Sequence, residues 1–292
     1  MIKCRKYICC EFNRKPRPLG EINRFKATEF RQFLLYTGAI VLRNELPNEH
    51  YNLFMALHIS CRILAIESLC LRYNDYAKQL LQDFLKNFAK LLGKEHLSFN
   101  FHGLLHIADD VKEFGPLDSF SAFRFENRLG GLKQNLRKPA QALQQIHRRL
   151  IEEKRRAFPA MISDAKPEFQ RAHSDGPLSC NLSDPQYHRY SVNGVVFNVK
   201  TFDRFLLLQS GEIIEAKNFC YSTSTKGFVV IGNKWKFSDY YNFPCKSSTV
   251  GTFQLQNPDT VLSVHSVENI TNKLQIIPDG DTLIAHTLIH QK

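Results

Sequence analysis

Apolar residues recur at three- and four-residue steps through the first half of the chain, which predicts a series of helices. In residues 24–42, Phe30, Leu34, Thr37 and Val41 follow this spacing, and Gly38 is expected to interrupt or end the helix. The same periodicity predicts helices over 48–72, 73–92, about 95–113, 121–137 and 139–158. Glycine and proline residues between these segments supply the stop and start signals.

The pattern changes after residue 158. Residues 159–186 are broken by Pro, Gly, Ser and Asp, which predicts a linker. From residue 187 the chain alternates in short β-type runs, and Asn-Gly, Ser-Gly and Asp-Gly pairs separate several of them. Such spacing is typical of a small antiparallel barrel or sandwich. We therefore expect an α + β protein in two domains: an irregular segment over 1–23, an all-α domain over 24–158, the linker, and an all-β domain over 187–292.

Positive charge is confined to the predicted helical half. The 292 residues carry a net charge of +11, and residues 1–160 hold 27 Lys and Arg against 16 Asp and Glu. Residues 161–292 hold 12 of each and are neutral. An excess of this kind favours a polyanionic partner, most often nucleic acid, with a solvated basic surface as the alternative.

The cysteines and the hydropathy place the chain among proteins with reduced thiols. The eight cysteines form no CxxC pair, and no run of apolar residues is long enough to span a membrane. The first ten residues are too short and polar for a secretory signal. We expect a nuclear or cytoplasmic protein that is not secreted.

Two histidines in FHGLLHIADD, residues 101–110, are candidates for metal binding. His102 and His106 are four residues apart, so both imidazoles point the same way on a helix. Gly103 stands where a zinc protease of the HExxH type has Glu, which excludes that class. Two imidazoles are half of a tetrahedral zinc site, and Asp110 is placed to orient the second ring nitrogen of His106.

A carboxylate lies in the second motif, SAFRFENRLGGLKQNLRKP, residues 121–139. Glu126 is flanked by Phe123, Phe125 and Leu129, so we expect it near the apolar face of its helix, where it needs a partner, a proton or a metal. The alternative is a surface carboxylate paired with Arg128 or with residue 124. Ten basic residues against three acidic ones lie between 124 and 156.

Together these motifs resemble the C-terminal part of a cut-and-paste transposase of the CACTA type. The similar stretches are RKPRPL (14–19), RFKATEFRQFLLYTG (24–38), HGLLHIADDV (102–111), FGPLDSFSAFRFENRLGGLK (114–133) and LRKP (136–139). In the β half they are GEIIEAKNF (211–219), VVIG (229–232) and FPCKSSTVG (243–251). The motif Phe-Glu-Asn, followed by Leu-Gly and Lys, is the most specific of these.

The resemblance implies an RNase H-like catalytic domain in which Asp, Asp and Glu hold two divalent ions for phosphoryl transfer. It identifies Glu126 with the third carboxylate, and His102 and His106 with two of the four zinc ligands of a helical insertion. It also implies that basic residues after Glu126 face DNA phosphates. These are Arg128, Lys133, Arg137, Lys138, Arg148, Arg149, Lys154, Arg155 and Arg156.

The chain departs from that family before His102, where only helices are predicted. The strands that carry the first two Asp residues and the CxxC half of the zinc site have no counterpart. We therefore expect a transposase-derived fragment that is inactive alone, binds DNA through the helical domain and associates with related transposase chains. Zinc is the expected cofactor, and magnesium is expected only if an upstream catalytic domain completes the site. Two alternatives remain: a nuclease subunit that supplies Glu126 in trans, and a protein-binding adaptor that acts through the β-domain.

Overall fold

The computed structural model describes residues 1–138, 140–156 and 167–289, with the backbone alone at 124, 127 and 154–156. Two short 3-10 helices, Ile2–Tyr7 and Leu19–Arg24, come first. The α-helices are α1 (Ala27–Gln32), α2 (Gly38–Val41), α3 (Asn48–Ala65), α4 (Glu67–Leu92), α5 (Phe99–Gly103), α6 (Ile107–Phe114), α7 (Phe123–Gln134) and α8 (Ala142–Arg156). None of these helices, within the described ranges, combines the length and hydropathy needed to cross a membrane.

Helix boundaries differ from the predicted ones where backbone geometry decides them. A π-helical turn, Phe33–Thr37, joins α1 to α2, and the helix runs through Gly38 without ending there. A Cβ at Gly38 would lie 2.5 Å from Cζ of Phe54, so this glycine permits the close approach of α3. The break predicted after residue 72 lies at Ile66, whose φ of −102° and ψ of 118° are extended.

In the described residues of the second half, the chain forms nine strands. They are β1 (Glu168–His173), β2 (Leu182–Val192), β3 (Val195–Asn198), β4 (Phe205–Leu208), β5 (Ile213–Ser222), β6 (Gly227–Ser238), β7 (Thr252–Ser266), β8 (Ile270–Asp279) and β9 (Thr282–Thr287). Six of them close an antiparallel barrel in the order β5, β4, β8, β9, β7 and β6, with β6 pairing back to β5. Of the predicted barrel and sandwich, the barrel is therefore correct. The Asn193-Gly194 pair, with positive φ at both residues, makes the predicted tight turn between β2 and β3.

The predicted linker is wrong from residue 168 onward, and residues 157–166 lie outside the described part of the chain. β1 and the first residues of β2 occupy it, and β1 pairs antiparallel with β2. The ring of Phe169 stacks on Phe228 at 4.0 Å and packs on Tyr190 at 4.9 Å. These contacts with distant residues order a segment whose own composition is polar and Pro-rich. The sequence also shows two separate β-type runs, TVGTFQLQ (249–256) and VLSVHSV (261–267), which the structure joins in the single strand β7. Pro258 of β7 lies opposite Trp235 at a shift in register.

The N-terminal segment, predicted to be irregular, is anchored to the barrel. The backbone N–H of Cys9 donates to Oε1 of Gln275 at 2.8 Å, and Nε2 of Gln275 donates to the carbonyl of Tyr7 at 2.9 Å. Two residues further on, Glu11 contacts the buried Lys273 at 2.7 Å. Residues far apart in the sequence therefore fix this segment, and local periodicity carries no sign of them.

The helices and the barrel share one hydrophobic core. Buried residues from α3 and α4, such as Ile59 and Leu81, pack in the same cluster as Tyr241, Val250 and Ile284 of the barrel half. This shared core does not confirm the predicted division into two domains. The arrangement of helices followed by an antiparallel barrel is confirmed.

Candidate nucleic-acid interface and metal-ligating residues

His102 and His106 point the same way, although they do not lie on one continuous helix. His102 is in α5, and His106 directly precedes α6 after a turn over residues 104–106. Their Nε2 atoms are 3.4 Å apart. Two nitrogens bound to zinc at about 2.0–2.1 Å with tetrahedral angles lie about 3.3 Å apart. The two imidazoles therefore have the spacing of two zinc ligands.

The rest of a zinc site is not assembled around this pair. Among the described residues, the groups of three or more ligand atoms that converge do not include either histidine. The carboxylate of Asp109 accepts from Nζ of Lys78 on α4, at 2.8 and 2.7 Å. The backbone N–H of Asp110 donates to the carbonyl of His106 at 3.0 Å, but among the described residues its carboxylate makes no hydrogen bond to the His106 ring. A groove of about 470 Å³ beside His102 is lined mainly by apolar side chains, including Leu85. The two imidazoles thus have the spacing of zinc ligands, and zinc binding by this pair stays a prediction.

Glu126 lies in the first turn of α7 with its carboxylate exposed to solvent. The expectation that it sits against an apolar face and needs a partner is wrong, because the neighbouring Phe125 and Leu129 are themselves 69% and 59% exposed. Of the two alternative partners, Arg128 does not pair with Glu126 and lies 3.7 Å from Glu153 of α8, while the side chain of Arg124 lies outside the described part of the chain. Glu126 belongs to none of the groups of three or more converging ligand atoms among the described residues.

The start of α7 is tied to α1 by a short polar and aromatic contact. Arg31 makes a bidentate pair with Asp118, at 2.6 and 2.7 Å. The guanidinium of Arg31 also lies over the ring of Phe123, 5.7 Å from its centroid. These contacts hold the residues before Glu126 against α1, while the opposite face of α7 is exposed to solvent.

α7 and α8 form a basic hairpin closed by one side chain. Oε1 of Gln145 accepts from the backbone N–H of Arg137 at 3.0 Å, and Nε2 of Gln145 donates to the carbonyls of Lys138 and Ala140 at 2.9 and 2.6 Å. Two bridges from α7 reach Glu153, from Arg128 and from Asn135. These contacts fix the positions of α7 and α8, and of the basic residues they carry, relative to each other.

The predicted DNA-binding residues divide into three groups on this hairpin. Arg128 and Arg149 have acidic partners, Glu153 at 3.7 Å and Glu152 at 2.6 Å. Four others are exposed and have no carboxylate of the described residues within 4.0 Å: Lys133, Arg137, Lys138 and Arg148. The side chains of Lys154, Arg155 and Arg156 lie outside the described part. The four uncompensated cations are the surface that an anionic partner would meet first.

The most strongly perturbed ionisable groups lie elsewhere and have no access to a substrate. Burial, together with the charge of the nearby Arg62, lowers the pKa of His58 to about 3. Lys273 is enclosed by Glu11 at 2.7 Å and Asp203 at 2.6 Å. Burial acts to lower the pKa of Lys273, but the surrounding acidic groups raise it above its usual value, so the ammonium stays charged. Its position fills the space between the ligand atoms of Cys9, Glu11 and Asp203, so these groups are a structural ion cluster.

Comparison with known proteins addresses the barrel half alone. Residues 172–288 match a family model described as a domain of unknown function (DUF8592). The match begins near the end of β1 and contains β2 to β9. No curated protein and no solved structure matches the chain.

Proposed function

We propose that this chain is derived from a transposase and binds DNA through the α7–α8 hairpin. The observation that carries the proposal is the set of four exposed cations on that hairpin without acidic partners among the described residues. They are Lys133, Arg137, Lys138 and Arg148. The barrel half has no net negative charge that would offset these four cations. A polyanion is therefore attracted electrostatically to the hairpin side of the molecule.

Phosphate contacts of this kind predict a measurable salt dependence. Each phosphate neutralised releases counterions, so log K falls against log salt with a slope of roughly 0.9 per contact. Four contacts then give a slope of about −3.6 and a loss of about 150-fold in affinity between 50 and 200 mM salt. Arg128 and Arg149 contribute less, because each must first leave its glutamate.

The test is a salt titration of the full chain with a fluorescent duplex, read by anisotropy. A variant in which Lys133, Arg137, Lys138 and Arg148 become Gln is compared with a matched control. The control replaces four exposed lysines elsewhere with Gln: Lys90, Lys226, Lys236 and Lys246. Both variants lose the same formal charge, so only position distinguishes them.

The hairpin variant is expected to flatten the slope by about three units and to bind more than tenfold weaker at about 50 mM salt. The control variant is expected to change the slope by less than about one unit. Equal effects of the two variants would show that binding follows net charge and not the hairpin. Failure of the wild-type chain to bind duplex would reject the proposal.

Catalysis by this chain alone is not part of the proposal, because two-metal phosphoryl transfer needs several carboxylates around ions about 3.5–4 Å apart. Glu126 supplies one, and its full exposure leaves it accessible to a second chain. That accessibility favours, as a second candidate function, the supply of Glu126 in trans to a related transposase that carries the first two Asp residues. Magnesium would then belong to the completed site, and His102 with His106 would provide half of a zinc site.

A further inference from the structure

Three potential metal ligands converge where β1 ends, on the barrel half and away from the basic hairpin. His173 and Asp175 are two residues apart, a spacing that returns side chains to the same side of an extended chain. In the pairing of β1 with β2, His173 lies opposite Gln186. His188 is two residues further along β2 and is therefore the diagonal neighbour of His173 on the same face. Strand register, and not helical spacing, brings these ligands together.

The distances among the three groups approach those of a zinc site. Oδ1 of Asp175 lies 2.7 Å from Nδ1 of His173 and 3.9 Å from Nε2 of His188. Ligand atoms around a tetrahedral zinc lie about 3.3 Å apart, midway between these two values. A movement of the carboxylate by about 1 Å would bring both distances to that value, and the hydrogen bond from Nδ1 of His173 would be replaced by a bond to the metal.

The imidazole rings are stacked, with centroids 3.6 Å apart and planes inclined by 16°. The lone pair of a ring nitrogen lies in the ring plane, so coordination requires the two rings to open from this stack. His173 and His188 are largely covered, with side chains 8% and 19% exposed, whereas Asp175 is 69% exposed. The metal would therefore sit at the surface, and water would complete its coordination.

Two features limit the affinity of such a site. Lys200 lies 3.9 Å from Oδ2 of Asp175, where its charge opposes a cation while leaving Oδ1 open. Nε2 of His173 and Nδ1 of His188 are buried and have no hydrogen-bond partner among the described residues. Metal-bound histidines are normally supported by such a partner, whose loss weakens binding by roughly 10–100-fold.

We infer that His173, Asp175 and His188 form a binding site for zinc or a similar divalent transition metal, which ties the segment after β1 to β2. The two nitrogens and one carboxylate suit zinc and cobalt and do not suit magnesium, which prefers oxygen ligands alone. β1 pairs with β2 alone among the described strands, so a metal that joins residue 175 to residue 188 would secure this edge of the sheet.

The experiment uses the full chain with His102→Ala and His106→Ala, so that the other histidine pair does not contribute. Co²⁺ binding is followed by its visible absorption, and Zn²⁺ binding by displacement of Co²⁺ and by calorimetry. Three further variants are compared in this background: His188→Ala, Asp175→Asn, and the control His265→Ala on β7. His265 is a barrel histidine that belongs to none of the converging ligand groups.

The background chain is expected to bind one ion, and its thermal midpoint is expected to rise with added zinc. His188→Ala and Asp175→Asn should each weaken binding at least tenfold and remove the thermal shift, whereas His265→Ala should leave both unchanged. Asp175 is exposed, so its substitution tests the site even if His188→Ala does not fold. Absence of Co²⁺ and Zn²⁺ binding in the background chain, or binding unchanged by Asp175→Asn, would overturn the inference.

Discussion

Arg62 of α3 donates from Nε and Nη2 to the backbone carbonyl of Val250, at 3.0 and 2.7 Å, with its side chain fully buried. Nη1 of the same guanidinium donates to the carbonyl of Leu35 at 2.8 Å. No carboxylate of the described residues pairs with this arginine, and burial lowers its pKa. The Arg62 side chain therefore joins the helical half to the barrel half, because it donates hydrogen bonds to a backbone carbonyl of each.

Replacing Arg62 with Met keeps much of the volume and removes every donor. Two buried carbonyls, of Leu35 and Val250, would lose their partners, so we expect the free energy of unfolding to fall by about 2–5 kcal/mol. Arg72→Met, at an exposed position of α4, is the matched control and should change it by less than about 0.5 kcal/mol. Urea unfolding measures both, and equal effects of the two substitutions would contradict the role of Arg62.

The shared core also predicts a single unfolding transition. Trp235 is the one tryptophan of the chain and lies on β6, so its fluorescence follows the barrel. Circular dichroism near 222 nm follows mainly the helices. The two probes should give the same urea midpoint, because neither half keeps its core without the other. Separate midpoints would support the predicted two-domain division instead.

Acid should destabilise the chain through His58. Nδ1 of His58 contacts the carbonyl of Leu34 at 2.6 Å, and burial lowers its pKa to about 3, below the ordinary value of 6.5. The unfolded chain therefore binds a proton that the folded chain does not, between pH 6.5 and about 3. The stability contributed by neutral His58 is complete above pH 6.5 and is lost as the pH falls through that window, at up to ~1.4 kcal/mol per pH unit.

His58→Asn keeps a donor for the Leu34 carbonyl and removes the titrating group. We expect it to reduce the slope of unfolding free energy against pH below 6.5, while His147→Asn on the exposed face of α8 should not. Part of the slope should remain, since burial also lowers the pKa of His286. Denaturant unfolding at a series of pH values gives these slopes, and identical slopes in wild type and His58→Asn would refute the assignment.

Lys273→Met should lower the free energy of unfolding by more than its small change in side-chain volume suggests. It leaves the buried carboxylates of Glu11 and Asp203 without a counter-charge, which costs about 3–5 kcal/mol. Adding Glu11→Gln and Asp203→Asn should recover part of this loss, because no unpaired charge remains. Lys234→Met, which breaks a partly exposed pair with Glu212, should destabilise the chain far less. A triple variant less stable than Lys273→Met alone would argue against charge burial as the cause.

Glu126→Gln should leave the folding of the chain unchanged, because the carboxylate is exposed and holds no partner among the described residues. Its affinity for duplex should be unchanged or slightly higher, since one negative charge is removed from the basic hairpin. Neither form should nick supercoiled plasmid with Mg²⁺ or Mn²⁺. Nicking by the wild-type chain that disappears in Glu126→Gln would show that other carboxylates complete a metal site.

Sequence periodicity was enough to predict helices followed by an antiparallel barrel or sandwich, and turns between several of the strands. The Asn193-Gly194 turn is an example, because both residues tolerate positive φ and the flanking strands alternate. The spacing of His102 and His106 likewise predicts that their imidazoles meet, since four residues span about one helical turn. In each case the physical cause acts within a few residues, so the local sequence contains it.

Tertiary structure alone decided which distant groups meet. The composition of residues 168–173 predicts a linker. The structure has β1 there, because the ring of Phe169 packs against the rings of Phe228 and Tyr190. Arg62 and Val250 are 188 residues apart, and Glu11 and Lys273 are 262 apart, so no periodicity links either pair. Pairing of this kind depends on strand register and on burial of the pair, which arise after the chain has collapsed around a common core. The sequence thus determined the elements and their order, whereas packing determined the shared core, the charge clusters and the convergence of His173 with His188.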